Sequence, residues 1–284
     1  MGKKKVTIPY LQKKKTEGKK ITMLTAYDYP ISQMVNEAEI DIILVGDSLA
    51  MVFQGLTSTV PVTVEETIYH CKAVMRGNIT SHVVGDMPFL SYQTSIRDAI
   101  YNAGLIMKEG GVDSVKLEGG ERMADVVYAI TKAGIPVMGH IGLTPQSASQ
   151  LGGFRVQGKD VESARQVIKD ALALEEAGAF ALILEAVPSK LAKIITEKVK
   201  IPTIGIGAGP YCDGQVLVTH DMLGVFDKFR PKFVKVYADI RKQIIDALVK
   251  YREEVENIEF PTKEYSYEVT EEVEKMFEEI AKEF

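Results

Sequence analysis

Short apolar runs recur along the chain, most closed by glycine or an acidic residue and most followed by a segment whose apolar positions have helical spacing. Ile42-Ile43-Leu44-Val45 is the plainest: an unbroken aliphatic run that suits a strand buried on both faces, ending in Gly46-Asp47-Ser48. Equivalent runs span 21–28, 81–86, 114–118, 136–140, 181–185, 203–207 and 215–219. Between them the periodicity predicts helices over 31–38, 64–76, 95–109, 121–133, 161–177 and 189–198, with a last long helix over 234–256. Local signals support these bounds. Pro30 suits a helix start, Thr63 and Glu66 form a capping-box pattern, and Gly110-Gly111, Gly134 and Gly178 stop helices. Eight short strands alternating with helices predict a (β/α)8 TIM barrel rather than an open doubly wound sheet. The joint between the seventh and eighth strands is too short for a full helix, so it is the least regular part of that topology.

Both ends of the chain extend the barrel. Residues 5–17 read as a short amphipathic helix with Val6, Ile8, Leu11 and Tyr10 on its apolar side, placed to plug the bottom. Beyond the break at Pro261, Val269, Val273, Met276, Phe277, Ile280 and Phe284 form an apolar stripe on a glutamate-rich helix, suited to docking on the same subunit or a neighbour. The expected organisation is one barrel domain over 1–258 and a C-terminal helical extension over 259–284. The polar stretch 55–62 is long enough to fold over a site mouth.

Composition narrows the class. Of 284 residues, 46% are hydrophobic and 26% charged, with a net charge of −5, which fits a globular enzyme and gives no support for nucleic-acid binding. The clusters Lys3-Lys4-Lys5 and Lys13-Lys14-Lys15 read as solvated helix faces. No apolar run is long enough to span a membrane, no signal-peptide pattern follows the first lysines, and Cys71 and Cys212 stand apart as reduced thiols. A cytoplasmic location is expected.

In a barrel of this kind the C-terminal strand ends converge on one face, where the loops build the site. The predicted strands bring Asp28, Asp47, Asp86, Glu118, His140 and Glu185 to that face. Asp47 alone reads equally well as a helix cap, but the recurrence of acids at corresponding ends favours a shared site. Asp47, Asp86 and Glu118 make an oxygen-rich set suited to Mg²⁺, an ion that keeps several waters and takes only one or two carboxylates directly. A hydrogen-bonded carboxylate cluster without metal is the bland alternative. Lys116, two residues before Glu118, shares its inward parity and reads as an electrostatic clamp on an anionic substrate, with a structural ion pair or a Schiff-base role as alternatives. Glu185, in apolar surroundings that would raise its pKa, is the candidate general base. His140 reads as a substrate contact or a satisfied core histidine. Gly205-Ile206-Gly207-Ala208-Gly209 lacks dinucleotide-site spacing and reads as packing at a strand end.

The segments Leu24-Thr25-Ala26-Tyr27-Asp28, Val45-Gly46-Asp47-Ser48, Gly85-Asp86-Met87-Pro88-Phe89, Val115-Lys116-Leu117-Glu118-Gly119-Gly120 and Gly139-His140-Ile141-Gly142-Leu143-Thr144-Pro145-Gln146 together resemble the ketopantoate hydroxymethyltransferase family. Leu184-Glu185-Ala186-Val187-Pro188 and Ile204-Gly205-Ile206-Gly207-Ala208-Gly209 extend the likeness, which runs from about residue 6 to 258 and leaves only the last helix outside it. The resemblance implies a Mg²⁺-dependent enzyme of pantothenate biosynthesis, usually a homodecamer. Such an enzyme moves a one-carbon unit from 5,10-methylenetetrahydrofolate to 3-methyl-2-oxobutanoate. It also implies that Asp47, Asp86 and Glu118 serve the metal, that Asp47, Ser48, Asp86 and Lys116 contact the oxoacid, and that Glu185 accepts the proton. A Mg²⁺-dependent lyase or mutase of phosphoenolpyruvate-like acids is the rival enzyme reading, and a non-catalytic binding or assembly barrel is the other class.

Overall fold

The computed structural model describes residues 4–150, 152–228 and 230–284, so Lys3 of the first lysine cluster lies outside them. Eight parallel strands close into a barrel in sequence order: β1 (Ile21–Thr25), β2 (Ile42–Val45), β3 (His82–Asp86), β4 (Ser114–Glu118), β5 (Val137–Gly142), β6 (Ala181–Glu185), β7 (Thr203–Ile206) and β8 (Gly214–Leu217). Closure comes from β1 pairing with β8 in register Ile21↔Gly214 through Leu24↔Leu217. The helices are α1 (Ile8–Thr16), α2 (Tyr29–Glu37), α3 (Leu49–Val52), α4 (Val64–Gly77), α5 (Ile96–Gly110), α6 (Ala124–Lys132), α7 (Val161–Glu176), α8 (Ser189–Lys198), α9 (Thr219–Met222), α10 (Ile240–Glu256) and α11 (Glu271–Ile280). The barrel expected from the sequence is therefore the one observed, and β7 passes to β8 without a helix.

Strand parity divides the apolar side chains into two cores. Ile43, Val45, Val83, Val115, Leu117, Leu182 and Leu184 face outward and pack with the helical ring. Ile21, Met23, Ile42, Leu44, Val84, Met138, Ile183, Ile204 and Val216 fill the interior, which α1 closes from below with Leu11 and Ile8, joined by Val6 just before it. Tyr10, expected on that apolar side, is instead exposed over the lysines. The helices approach the sheet closely: a Cβ on Gly85 would sit 2.6 Å from Ile106 of α5.

The lysine clusters depart from the expectation of solvated faces. Lys14 donates to both carboxylate oxygens of Asp41 (2.8 and 2.6 Å), Lys15 to Asp213 (2.8 Å), and Lys5 pairs with Asp113 (2.7 Å). Asp41, Asp113 and Asp213 stand just before β2, β4 and β8, and their carboxylates also accept from the N–H groups of Thr22, Val83 and Thr203 on the neighbouring strands. These lysines thus fasten α1 and its flank to the barrel floor.

Candidate active site

Four inner-facing positions on three strands set the site. Asp86 ends β3, Lys116 and Glu118 alternate on β4, and His140 lies on β5, all with the parity of the interior core. Asp47 and Ser48 follow β2 after the single residue Gly46, and Glu185 ends β6. Every one of these predicted residues lines a single cavity of about 340 Å³ at the C-terminal mouth of the barrel. Asp28 does not line it. Its carboxylate accepts from the Ile31 N–H (2.8 Å) and caps α2, so β1 ends at Thr25 and the acid three residues later serves a helix.

The opposite holds for Asp47. Ser48, not Asp47, occupies the N-cap position of α3, and even its hydroxyl is used elsewhere, 2.8 Å from the Tyr27 phenol. The Asp47 carboxylate accepts from Gln146 Nε2 (2.9 Å) while its own N–H donates to Asp86 (3.0 Å). Lys116 Nζ lies 2.9 Å from Asp86 and 3.7 Å from Glu118. His140 is inserted between two acids, with Nδ1 3.4 Å from Glu118 and Nε2 3.2 Å from Glu185. Glu185 therefore has an imidazole for a neighbour rather than the wholly apolar surroundings expected.

Burial controls the charge states. Removal from water, with Asp86 and Glu118 close by, raises the Asp47 carboxyl well above its usual range. Asp86 is also raised by burial and by Glu118, against the pull of Lys116. Burial alone would neutralise Lys116, but Asp86, Glu118 and Asp47 overcome it and keep the ammonium charged. Burial opposes ionisation of Glu118 too, yet hydrogen bonding to His140 and the charge of Lys116 hold it low. His140 rises to about 9 because Glu118 and Glu185 outweigh burial and the nearby Lys116 charge. Asp86 Oδ1 and Glu118 Oε1 are buried and held by charge, 2.9 and 3.7 Å from Lys116 Nζ, without hydrogen-bond geometry to a described residue. Three buried carboxylates gathered about one ammonium, with Asp47 raised by burial and by its acidic neighbours, supply oxygen donors of a kind that suits a hard divalent cation.

Sequence reasoning missed two supporting residues. Gln146, in the turn after β5, donates from its side chain to Asp47 and to the Met87 carbonyl, and from its backbone to Glu118 (3.0 Å). Tyr92 donates to Gln146 Oε1 (2.7 Å) and is itself within 3.2 Å of the Glu118 N–H. Gln146 ends a quoted motif, so a signal existed, but its polar amide gives no hint of a partner in β2. Nothing in the sequence distinguishes Tyr92 from other tyrosines. The glycine run after β7 behaves as packing: a Cβ on Gly207 would meet the Phe233 ring at 2.6 Å.

A sequence model of ketopantoate hydroxymethyltransferase matches residues 5–263. The chain belongs to the ketopantoate hydroxymethyltransferase family. It is 60% identical to the 3-methyl-2-oxobutanoate hydroxymethyltransferase of Moorella thermoacetica over 263 residues, covering 93% of this chain and 98% of that one. Identity to the protein of the same name from Heliobacterium modesticaldum is 56%, covering 96% and 99%. As a member of this family it is a hydroxymethyltransferase, an enzyme acting on small-molecule substrates. Solved structures of phosphonopyruvate hydrolase (TM-score 0.60, 11% identity, covering 97% of this chain and 96% of that one) and of a putative phosphonomutase from Burkholderia cenocepacia (0.63, 13%, 86% and 98%) share the fold alone. The rival mutase or lyase reading thus has likeness of fold but not of sequence. Among the described residues no helix is long and apolar enough to cross a membrane.

Proposed function

We propose that this enzyme transfers a one-carbon unit from 5,10-methylenetetrahydrofolate to 3-methyl-2-oxobutanoate, giving 2-dehydropantoate for pantothenate and coenzyme A synthesis in the cytoplasm. The observation that carries the reading is the meeting of Asp47, Asp86 and Glu118 around Lys116, with Glu185 on the same cavity wall. The relatives' shared name supports the oxoacid as substrate.

Asp47 and Asp86 would hold Mg²⁺, and Glu118, already engaged by Gln146 and His140, would complete the site through water. Among the described residues no three His, Cys, Asp or Glu side chains are grouped as a metal cage, so the direct protein ligands would be few. The metal, when bound, supplies Lewis-acid polarisation of the keto group. The protein's own part follows from its geometry. Lys116, kept charged by its acids, faces the negative charge that grows on the keto oxygen as the C3 proton leaves. Ser48, fixed by Tyr27, contacts the oxoacid alongside Asp47 and Asp86. Glu185 takes the C3 proton, and His140, whose ring touches that carboxylate, fixes its orientation and contacts the substrate. The enolate carbon then forms the new C–C bond to the donor's methylene carbon, and water contributes the hydroxyl as tetrahydrofolate leaves.

With Mg²⁺ and no folate, the wild-type enzyme should exchange the C3 hydrogen of 3-methyl-2-oxobutanoate for deuterium, followed by NMR. Glu185→Gln should slow that exchange by about 10²–10⁴-fold. No exchange by wild type would overturn the transferase reading, and undiminished exchange by the variant would remove Glu185 from the role of base. The family resemblance also supports a homodecamer, and the exposed apolar side of α10, with Leu248 62% exposed, is consistent with burial between copies.

A further inference from the structure

The cavity has walls that the oxoacid chemistry above does not use. Outside the inner group of acids, Asp221 is a carboxylate on its lining, carried by α9 immediately after β8 and only 8% exposed. None of the described side chains hydrogen-bonds its carboxyl group, so burial pushes its pKa up to about 6, with Arg230 drawing it the other way. Phe226 and Phe233 line the same cavity from the segment that follows, and Phe233 is seated on the bare backbone of Gly207. Arg155 and Lys232 complete the outer wall, both exposed to solvent. Thr59 lines it too, with a buried hydroxyl that has no partner among the described residues.

A half-dry carboxylate, flat aromatic walls and exposed cations make a specific request of a ligand. The carboxylate asks for two adjacent N–H donors, because a bidentate pair satisfies both oxygens at once. The phenylalanine rings ask for a planar heterocycle, and the cations ask for an acid at the far end. A reduced folate has all three: an aminopyrimidinone edge with ring N–H and amino N–H side by side, a flat ring system, and a tail ending in carboxylates. We infer that Asp221 receives the N3–H and 2-amino edge of the folate pterin, with Phe226 and Phe233 against its ring and Arg155 and Lys232 toward its glutamate tail. This rests on the transferase reading, and it adds the site of the second substrate. It also gives a reason for a carboxylate to be buried without a protein donor, at a cost that a structural side chain would not repay.

The test compares two ligands by titration calorimetry: tetrahydrofolate and its 2-desamino-2-methyl analogue, which lacks one of the two donors. Wild-type enzyme should prefer tetrahydrofolate by about tenfold or more, the scale expected of one charge-assisted hydrogen bond. In Asp221→Asn, which presents one acceptor and one donor in nearly the same shape, the preference should collapse toward unity. Equal binding of the two ligands by wild type, or a preference that survives in Asp221→Asn, overturns the subsite. Deuterium exchange into 3-methyl-2-oxobutanoate is run on the same wild-type sample without folate. Exchange with no ligand preference refutes the subsite and leaves the transferase reading standing, whereas absence of exchange refutes both. The wild-type comparison needs no variant, so a folding defect in Asp221→Asn cannot shield the inference.

Discussion

Lys116 shows what a single residue contributes at this site and how far it can be read in advance. Its spacing from Glu118 places both on the inner parity of β4, and that much needs only the period of a strand. Which acids it meets depends on closure: Asp86 is 30 positions earlier, and its neighbour Asp47 is held by Gln146, 99 positions later. Strand ends are legible because their residues recur; the turn amide that ties them together is not, since its role exists only after folding. His82 makes the same point at the other end of the barrel. It is an ordinary inward strand residue by pattern, but its ring is buried against Phe180 and shares a 2.9 Å hydrogen bond with Ser114. Burial lowers its pKa from 6.5 to about 4, with Lys5 adding to the decrease and Asp113 opposing it. Because the folded-state value is the lower one, the unfolded chain binds the extra proton, so the stabilisation is present above about pH 6.5 and is lost as pH falls toward about 4. Between about pH 7 and pH 5 the wild type should therefore lose about 2 kcal/mol more than His82→Gln in urea denaturation. Parallel losses in the two proteins would show that His82 is not the proton acceptor.

At the scale of elements, the two acids Asp28 and Asp47 are indistinguishable as patterns and opposite in use. Both follow an apolar run and precede a helix. The difference lies in where the chain turns. After β1 it runs three residues past Thr25 before Tyr29-Pro30 opens α2, which puts Asp28 in extended backbone with its carboxylate over the first free N–H groups. After β2 it turns at once, so Asp47 still points into the barrel and Ser48 takes the cap position. Strand and helix existence was legible from periodicity. The shortening of β1 relative to expectation was not, because a capping carboxylate and a cavity-lining one carry the same chemical signal until the turn is known. Asp28→Ala should consequently cost about 1 kcal/mol in chemical denaturation, the usual scale of a lost cap, while leaving turnover of the folded enzyme unchanged. A loss of activity in stable protein would return Asp28 to the site.

At the scale of the whole molecule, the ring of helices is least complete after β8. Where the pattern predicts one long helix over 234–256, the structure has an irregular stretch and then α10, beginning at Ile240, with no buried residue among those described. Ile244, Ile245, Leu248, Val249 and Val255 recur at helical spacing and stay exposed, and the stripe of α11 likewise has no fully buried residue. The first prediction of that stripe, docking on the same subunit, is therefore not what the fold provides. Sequence periodicity identifies a face that wants burial, but it cannot say whose surface provides it. A helix of 17 residues without tertiary cover is marginal in water, and each large aliphatic side chain left outside forfeits about 1.5–3 kcal/mol. A second copy of this chain is the partner that the proposed homo-oligomer would supply. Light scattering on the eluting peak should give a mass several times the 31.4 kDa of one chain. Ile244→Lys combined with Leu248→Lys, which places charges at the centre of the α10 face and touches none of the site residues, should shift the peak toward the monomer. A monomeric wild type, or an assembly indifferent to both lysines, would mean that α10 does not hold the copies together.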